Sequence, residues 1–409
     1  MVSREFKRAW FVALFVAGAL LCASNAGAAK KKDFTVSPKV YKKIAATHEL
    51  IQAEKYGEAL KSAKSALNSR RLNEHEQALL WQTLGFIYSA QENFKQAAES
   101  FEACIALEAL PEMTMRNTEY NLAQVYMLSE EYRSVIRLLD AWVTKVEKVT
   151  ADAWILLAGA NAQINNWKKA VEHGEKALAA TRKPKEQWLT MMLSLYYELR
   201  RLPKVASTLE TLVVRYPKKS YWLQLVSIYN ELNQEARALA AMDLAYAQGY
   251  VTTEKELLQY VRFCFAQELP LKAAKLLTSG LDSGQLSPTE ENLKFLANAW
   301  IQAREPQQAL EPLQKAAQLG KTGELFMHLG QTYSELLQWK QASVALNQAL
   351  NKGGLERPGD AWILLAIAEI SSKKYGKARQ ALARARQDER VKKAAEQWLS
   401  HLSELERRR

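Results

Sequence analysis

Apolar side chains recur along this chain at helical spacing, stop at short polar turns, and resume, again and again between residues 40 and 390. The clearest stretch has Trp81, Leu84, Gly85 and Tyr88, a turn at Gln91, Glu92 and Asn93, then Phe94, Ala97, Phe101 and Ile105. The i, i+3, i+4, i+7 spacing puts the first four on one face of a helix, and Ala97, Phe101 and Ile105 share a face of a second. Gly85 and Ala97 are small where the two backbones must approach between larger side chains. The pattern therefore predicts a helical hairpin. Good copies follow at Trp154, Leu157, Ala158, Trp167, Ala170 and Ala177, at Phe326, Leu329, Gly330, Tyr333, Trp339, Ala342 and Leu346, and at Trp362, Leu365, Ala366, Tyr375, Ala378 and Leu382. Weaker copies fill the gaps, and the repeat starts fall at 40, 78, 116, 151, 186, 219, 254, 290, 323 and 359.

The Trp-x-x-Leu-Gly-x-x-Tyr…Ala-x-x-x-Phe pattern resembles the tetratricopeptide repeat, whose period is about 34 residues. The resemblance covers residues 40–390. It implies an all-α fold: a right-handed α-solenoid of about ten hairpins. Residues 391–409 form a capping helix, with Val391, Ala395, Trp398, Leu402 and Leu405 on its inward stripe. It also implies that the first helix of each hairpin lines a concave groove that holds a peptide. The groove candidates carried over by register are Tyr120, Gln124, Tyr197, Asn230, Arg262, Phe265, Lys294, Asn298 and Gln331, with Gln82, Ser89, Ile155 and Met327 at equivalent positions. Lys294 and Asn298 are similar to half of the family's carboxylate clamp. The other half is missing, because His328, Asp360 and Leu364 stand where Asn, Lys and Arg are needed. A row of Ile363, Ile367 and Ile370 is either covered by the capping helix or left as an apolar docking patch.

The first residues follow a different pattern. Arg4, Lys7 and Arg8 precede an apolar run from Ala9 to Leu21, and Ala26-Gly27-Ala28 supplies small residues for cleavage. Residues 1–28 read as a secretory signal peptide, too short for a comfortable membrane span. A basic lead-in, residues 29–39, follows. The expected location is the periplasm, with no stable membrane insertion after cleavage. The net charge of +12 becomes +10 once the three cations and single acid (Glu5) of residues 1–28 are removed. That balance attracts acidic partners. Export and the lack of a basic-aromatic recognition motif argue against nucleic acid. Beyond Cys22 the chain has only Cys104 and Cys264, about four repeats apart and on packing positions, so buried free thiols are expected.

No catalytic constellation emerges. His48-Glu49 starts like a zinc-protease helix, but Gln52 replaces the second histidine. Gly320-Lys321-Thr322 lacks the upstream glycine of a phosphate loop, and Ser371 with Lys374 falls in a hairpin turn. The five histidines are scattered along the array and the cap, with no metal-ligand spacing. No carboxylate is expected on an apolar stripe. Catalytic residues, metal and cofactor are all expected to be none. The layout further resembles the tetratricopeptide proteins that accompany TonB-type energy-transduction systems, which implies periplasmic motor components as partners. A scaffold for outer-membrane protein or exopolysaccharide assembly is the alternative.

Overall fold

The computed structural model describes residues 34–407, so the signal-peptide reading and residues 29–33 of the basic lead-in lie outside the described residues. Two compact units divide the chain, residues 1–208 and 209–409. Every regular element among the described residues is a helix, and consecutive helices pack antiparallel as hairpins. The described part of the first unit holds the pairs α1 (Pro38–Gln52) with α2 (Tyr56–Leu67), α3 (Glu74–Ala90) with α4 (Phe94–Ala106), α5 (Glu112–Leu128) with α6 (Tyr132–Trp142), and α7 (Ala151–Gln163) with α8 (Trp167–Ala179). After these comes α9 (Glu186–Glu198), followed by α10 (Leu202–Arg215), which runs across the boundary. The second unit pairs α11 (Lys219–Glu231) with α12 (Glu235–Ala247), α13 (Glu254–Ala266) with α14 (Pro270–Asp282), α15 (Glu290–Gln302) with α16 (Pro306–Leu319), α17 (Glu324–Glu335) with α18 (Trp339–Lys352), and α19 (Pro358–Ser371) with α20 (Tyr375–Ala385). A last helix, α21 (Lys392–Arg407), follows.

One residue per hairpin decides how closely its helices meet. Counting each repeat start as position 1, position 20 is Ala59, Ala97, Val135, Ala170 or Val205 in the first unit. In the second it is Ala238, Ala273, Ala309, Ala342 or Ala378, and all ten are 0 % exposed. A small side chain there lets the second helix settle against the first. The turns obey the same register. Position 15 is left-handed in every hairpin, from Glu54, Glu92, Glu130, Asn165 and Arg200 to Asn233, Glu268, Arg304, Leu337 and Lys373, with φ between 51° and 66°. The amide one residue later donates to the carbonyl five residues back at 2.8–2.9 Å, as Asn93 does to Tyr88 and Gln338 to Tyr333. This is the Schellman closure, which satisfies carbonyls that the helix end leaves bare.

At the C-terminal end, Ala395 and Leu402 of α21 are buried with Ala361, Leu365 and Leu382. Trp398 and Leu399 lie half-buried against this cluster. Ile363 and Ile370 pack on it too, whereas Ile367 is half-buried. No helix among the described residues is long and apolar enough to cross a membrane.

The carboxylates depart from expectation, since Glu76, Glu119 and Glu369 are buried. Each occupies a helix face that periodicity marks as inward, and each has a local partner. Glu76 accepts from the Ser37 amide and hydroxyl and closes a capping box with Asn73. Arg116 donates to Glu119 at 2.8 Å. Ser343 donates to Glu369 at 2.5 Å. Burial alone pushes the Glu76 carboxyl up, but the Ser37 and Asn73 bonds outweigh it and hold the group below the ordinary range.

Candidate partner-binding face

The register places all nine groove candidates on first helices, but their surroundings differ. In the first unit, Tyr120 on α5 packs against Trp142 with ring centroids 5.8 Å apart and shares a hydrogen bond with Gln124 one turn on. Burial, reinforced by Asp152, pushes the Tyr120 phenol up. This pair is half-buried and largely committed to its own repeat. Tyr197 on α9 is 39 % exposed. In the second unit, Asn230 on α11, Arg262 on α13 and Lys294 on α15 are exposed, while Phe265, Asn298 and Gln331 are half-buried. Phe265 stacks on Phe295 of the next hairpin, centroids 5.1 Å apart, so its ring serves repeat packing.

Some equivalent positions do not line a surface. Ile155, Ser89 and Met327 are buried. Ser89 donates to the Gly85 carbonyl at 2.7 Å, and Gln82 donates to Thr118 of the next hairpin at 2.7 Å. Neighbouring helices converge at these points, and the register alone does not reveal how closely. The accessible first-helix candidates are thus Tyr197, Asn230, Arg262 and Lys294.

Sequence reasoning missed a polar ladder that ties one hairpin to the next at four junctions. In the first unit Tyr196 donates to Glu175 at 2.9 Å, and Lys204 stands 3.3 Å from the same carboxylate. In the second unit Tyr229 donates to Glu210 at 2.6 Å, while Arg237 donates to Glu210 at 2.8 Å and lies 4.5 Å over the Tyr229 ring. Tyr260 donates to Asp243, which also takes Lys272 at 2.6 Å. Tyr126 donates to Glu102 in the same way. The acid occupies position 25 of one repeat. The base, where there is one, occupies position 19 of the next, and the tyrosine position 11 (position 7 for Tyr260). Burial first, and then the bonded carboxylate, raises each phenol above its ordinary range, Tyr229 to about 12. Aligning the repeats in register would have exposed the pattern.

The remaining candidates for chemistry resolve into structure. Gly320 caps α16, and Ser371 and Lys374 flank the turn between α19 and α20. His75 bonds the Ala109 carbonyl at 2.7 Å, and His173 stacks on Trp154 with centroids 5.5 Å apart. Cys104 and Cys264 are free and buried, and burial raises their thiols to about 12 and about 11. Among the described residues no group of three or more His, Cys, Asp or Glu is placed to hold a metal. An open cavity lies between α16, α17 and α18.

No family model matches this chain, and no curated protein does. Among solved structures it is similar to a tetratricopeptide repeat protein from Parabacteroides merdae, at 14% identity and a TM-score of 0.40, over 72% of this chain and 99% of that one. It is similar to YrrB, a TPR protein with an unusual peptide-binding site, at 16% identity and a TM-score of 0.36, over 48% and 99%. A repeat-containing protein from Cytophaga hutchinsonii is similar at 14% identity and a TM-score of 0.39, over 68% and 95%. The buried small residue at position 20 and the common turn make the described residues an all-α helical repeat array, consistent with a tetratricopeptide protein.

Proposed function

We propose that this chain is a non-enzymatic protein-interaction scaffold, exported to the periplasm, that holds acidic peptide or helical segments of other proteins. The observation that carries the reading is the division of labour on the first helices. Several of their side chains are taken up in packing, while Arg262 and Lys294 stand exposed one helical turn apart in register, at groove positions of adjacent repeats in the second unit. Long cations on a preformed scaffold bind carboxylates with little loss of ordering entropy to the scaffold. Export rests on the basic, apolar and small-residue succession in residues 1–28. The layout of that segment with the repeat array resembles the proteins that accompany TonB-type systems, so the partners are periplasmic components of such a motor.

Arg262→Glu combined with Lys294→Glu is expected to abolish partner capture from periplasmic and membrane extract, with far-UV helicity unchanged. Unchanged capture would move the ligand to other faces. Captured outer-membrane or polysaccharide assembly proteins, with motor components missing, would replace the TonB reading by the assembly one. Amino-terminal sequencing of the periplasmic protein is expected to start near Ala29, and a chain still starting at Met1 would refute the export.

A further inference from the structure

Where α16 meets α17 and α18, the tyrosine of the ladder is present without its acid or its base, and a cavity lies there. In register, Tyr333 on α17 corresponds to Tyr196 and Tyr229. The position that supplies Glu175, Glu210 and Asp243 elsewhere is Gln314 on α16, and the position of Lys204, Arg237 and Lys272 is Gln341 on α18. An open cavity of about 280 Å³ lies here, lined by Gln314, Tyr333, Lys340, Gln341 and Gln348 on its polar side and by Leu329, Val344 and Ala345 on its apolar side. Its lining has a cation and no acid. Among the described residues, no hydrogen-bond partner is found for the Tyr333 hydroxyl, which elsewhere in the ladder is given to a carboxylate.

We infer that this cavity receives a carboxylate side chain of an acidic partner segment, which takes the place the protein's own glutamate occupies in the intact ladder sets. The inference rests on the scaffold reading and adds a specific pocket to it. The chemistry follows from the internal copies. At Glu210, one carboxylate accepts from a phenol and from a guanidinium at 2.6 and 2.8 Å. At Tyr333, the phenol, Lys340 and three carboxamides offer donors for the same group, and such charge-assisted bonds are the strong ones. Val344, 59 % exposed, and Leu329 give the methylene stem of a glutamate an apolar wall. The volume is below that of pockets holding whole small molecules and suits one side chain on a passing chain.

Methyl-labelled full-length protein, with Leu329, Val344 and Ala345 as reporters, is titrated with an acetylated, amidated tetraglutamate peptide, its tetraglutamine counterpart and free glutarate. The expected result is a saturable shift of these methyl signals with tetraglutamate and none with tetraglutamine. Gln314→Glu, with or without Gln341→Lys, supplies the internal carboxylate and is expected to weaken that binding about tenfold or more. Tyr333→Phe is expected to weaken it without disturbing the ring. Equal binding by tetraglutamine, or undiminished binding by Gln314→Glu with native helicity, overturns the inference. Glutarate binding as tightly as the peptide overturns the assignment to a partner segment. If the methyl signals stay unmoved while wild-type protein still captures partners and the Arg262→Glu/Lys294→Glu variant does not, this inference fails and the scaffold reading stands. Shifted signals with no partner captured by wild type give the reverse.

Discussion

Glycine occurs in these helices for opposite reasons, which makes single substitutions informative. A Cβ at Gly85 would lie 2.6 Å from Phe101 Cε1, and that ring is fully buried and met edge-on by Phe86 at 5.4 Å between centroids. At Gly376 in α20 a Cβ meets nothing within 4 Å. Gly376→Ala is therefore expected to raise stability by about 0.5–1 kcal/mol through helix propensity. Gly85→Ala is expected to lower it by about 1–3 kcal/mol, because overpacking exceeds the same propensity gain. Urea midpoints of the two variants check this; shifts of equal sign would mean the Gly85 approach is not tight. Leu337 is a second case, left-handed at φ 58° and 68 % exposed. Leu337→Gly relieves the Cβ strain without losing buried area, and thermal melting is expected to show a gain of up to about 1 kcal/mol. Gly85 was legible in the sequence because the repeat sets a small residue opposite Phe101. The backbone at Leu337 was not, since leucine gives no local sign of positive φ and only comparison with the other nine turns reveals it.

Helices and hairpins follow from periodicity, but what joins one hairpin to the next does not. Apolar spacing is local, and it named the faces of nearly every helix. The bond from Tyr229 to Glu210 spans 19 residues and that from Tyr196 to Glu175 spans 21. Whether such side chains meet depends on how each hairpin rotates on its predecessor, which local spacing leaves open. The same gap explains why Ile155 and Met327, expected in a groove, are buried. A double-mutant cycle measures the ladder directly. Tyr229→Phe and Glu210→Ala are expected to cost about 0.5–1.5 kcal/mol each and to couple by about 1 kcal/mol, since either change removes the same bond. Strict additivity would reduce the ladder to a surface contact. Caps offer a further handle: Thr253 and Glu256 close a capping box at the start of α13, and Glu256 also takes Lys219 from the preceding hairpin at 2.9 Å. Glu256→Ala is expected to destabilise more than Thr253→Ala, which costs about 1 kcal/mol.

In a repeat array, stability is roughly a sum of repeat and interface contributions, so a group repeated in many hairpins acts on the whole molecule. The C-terminal cluster shows the local limit. Removing residues 391–409 uncovers Ala361, Leu365 and Leu382, and lower solubility is expected on gel filtration. Trp398→Ala reproduces only part of this, because the indole is half-buried. Alkali probes all repeats together. Burial raises the Cys104 thiol to about 12 from 9.0 and the Tyr229 phenol to about 12 from 10.0, and Tyr126, Tyr196 and Tyr260 move in the same direction. Each group is therefore held protonated in the folded chain at a pH where the unfolded chain ionises it. The stability these groups contribute is fully present below pH 9, falls as the unfolded chain loses its protons, and is lost as the pH passes the folded values near 12. Carboxylate partners sharpen the effect, because an ionised phenol beside Glu210 or Glu175 exchanges a hydrogen bond for a repulsion. The expected result is a urea midpoint that is flat up to pH 9 and falls steeply above pH 10. Tyrosinate absorbance in the native protein should lag behind that of the urea-unfolded chain. Tyr229→Phe should remove part of the lag, and superimposable native and unfolded titrations would refute the buried ladder in both units.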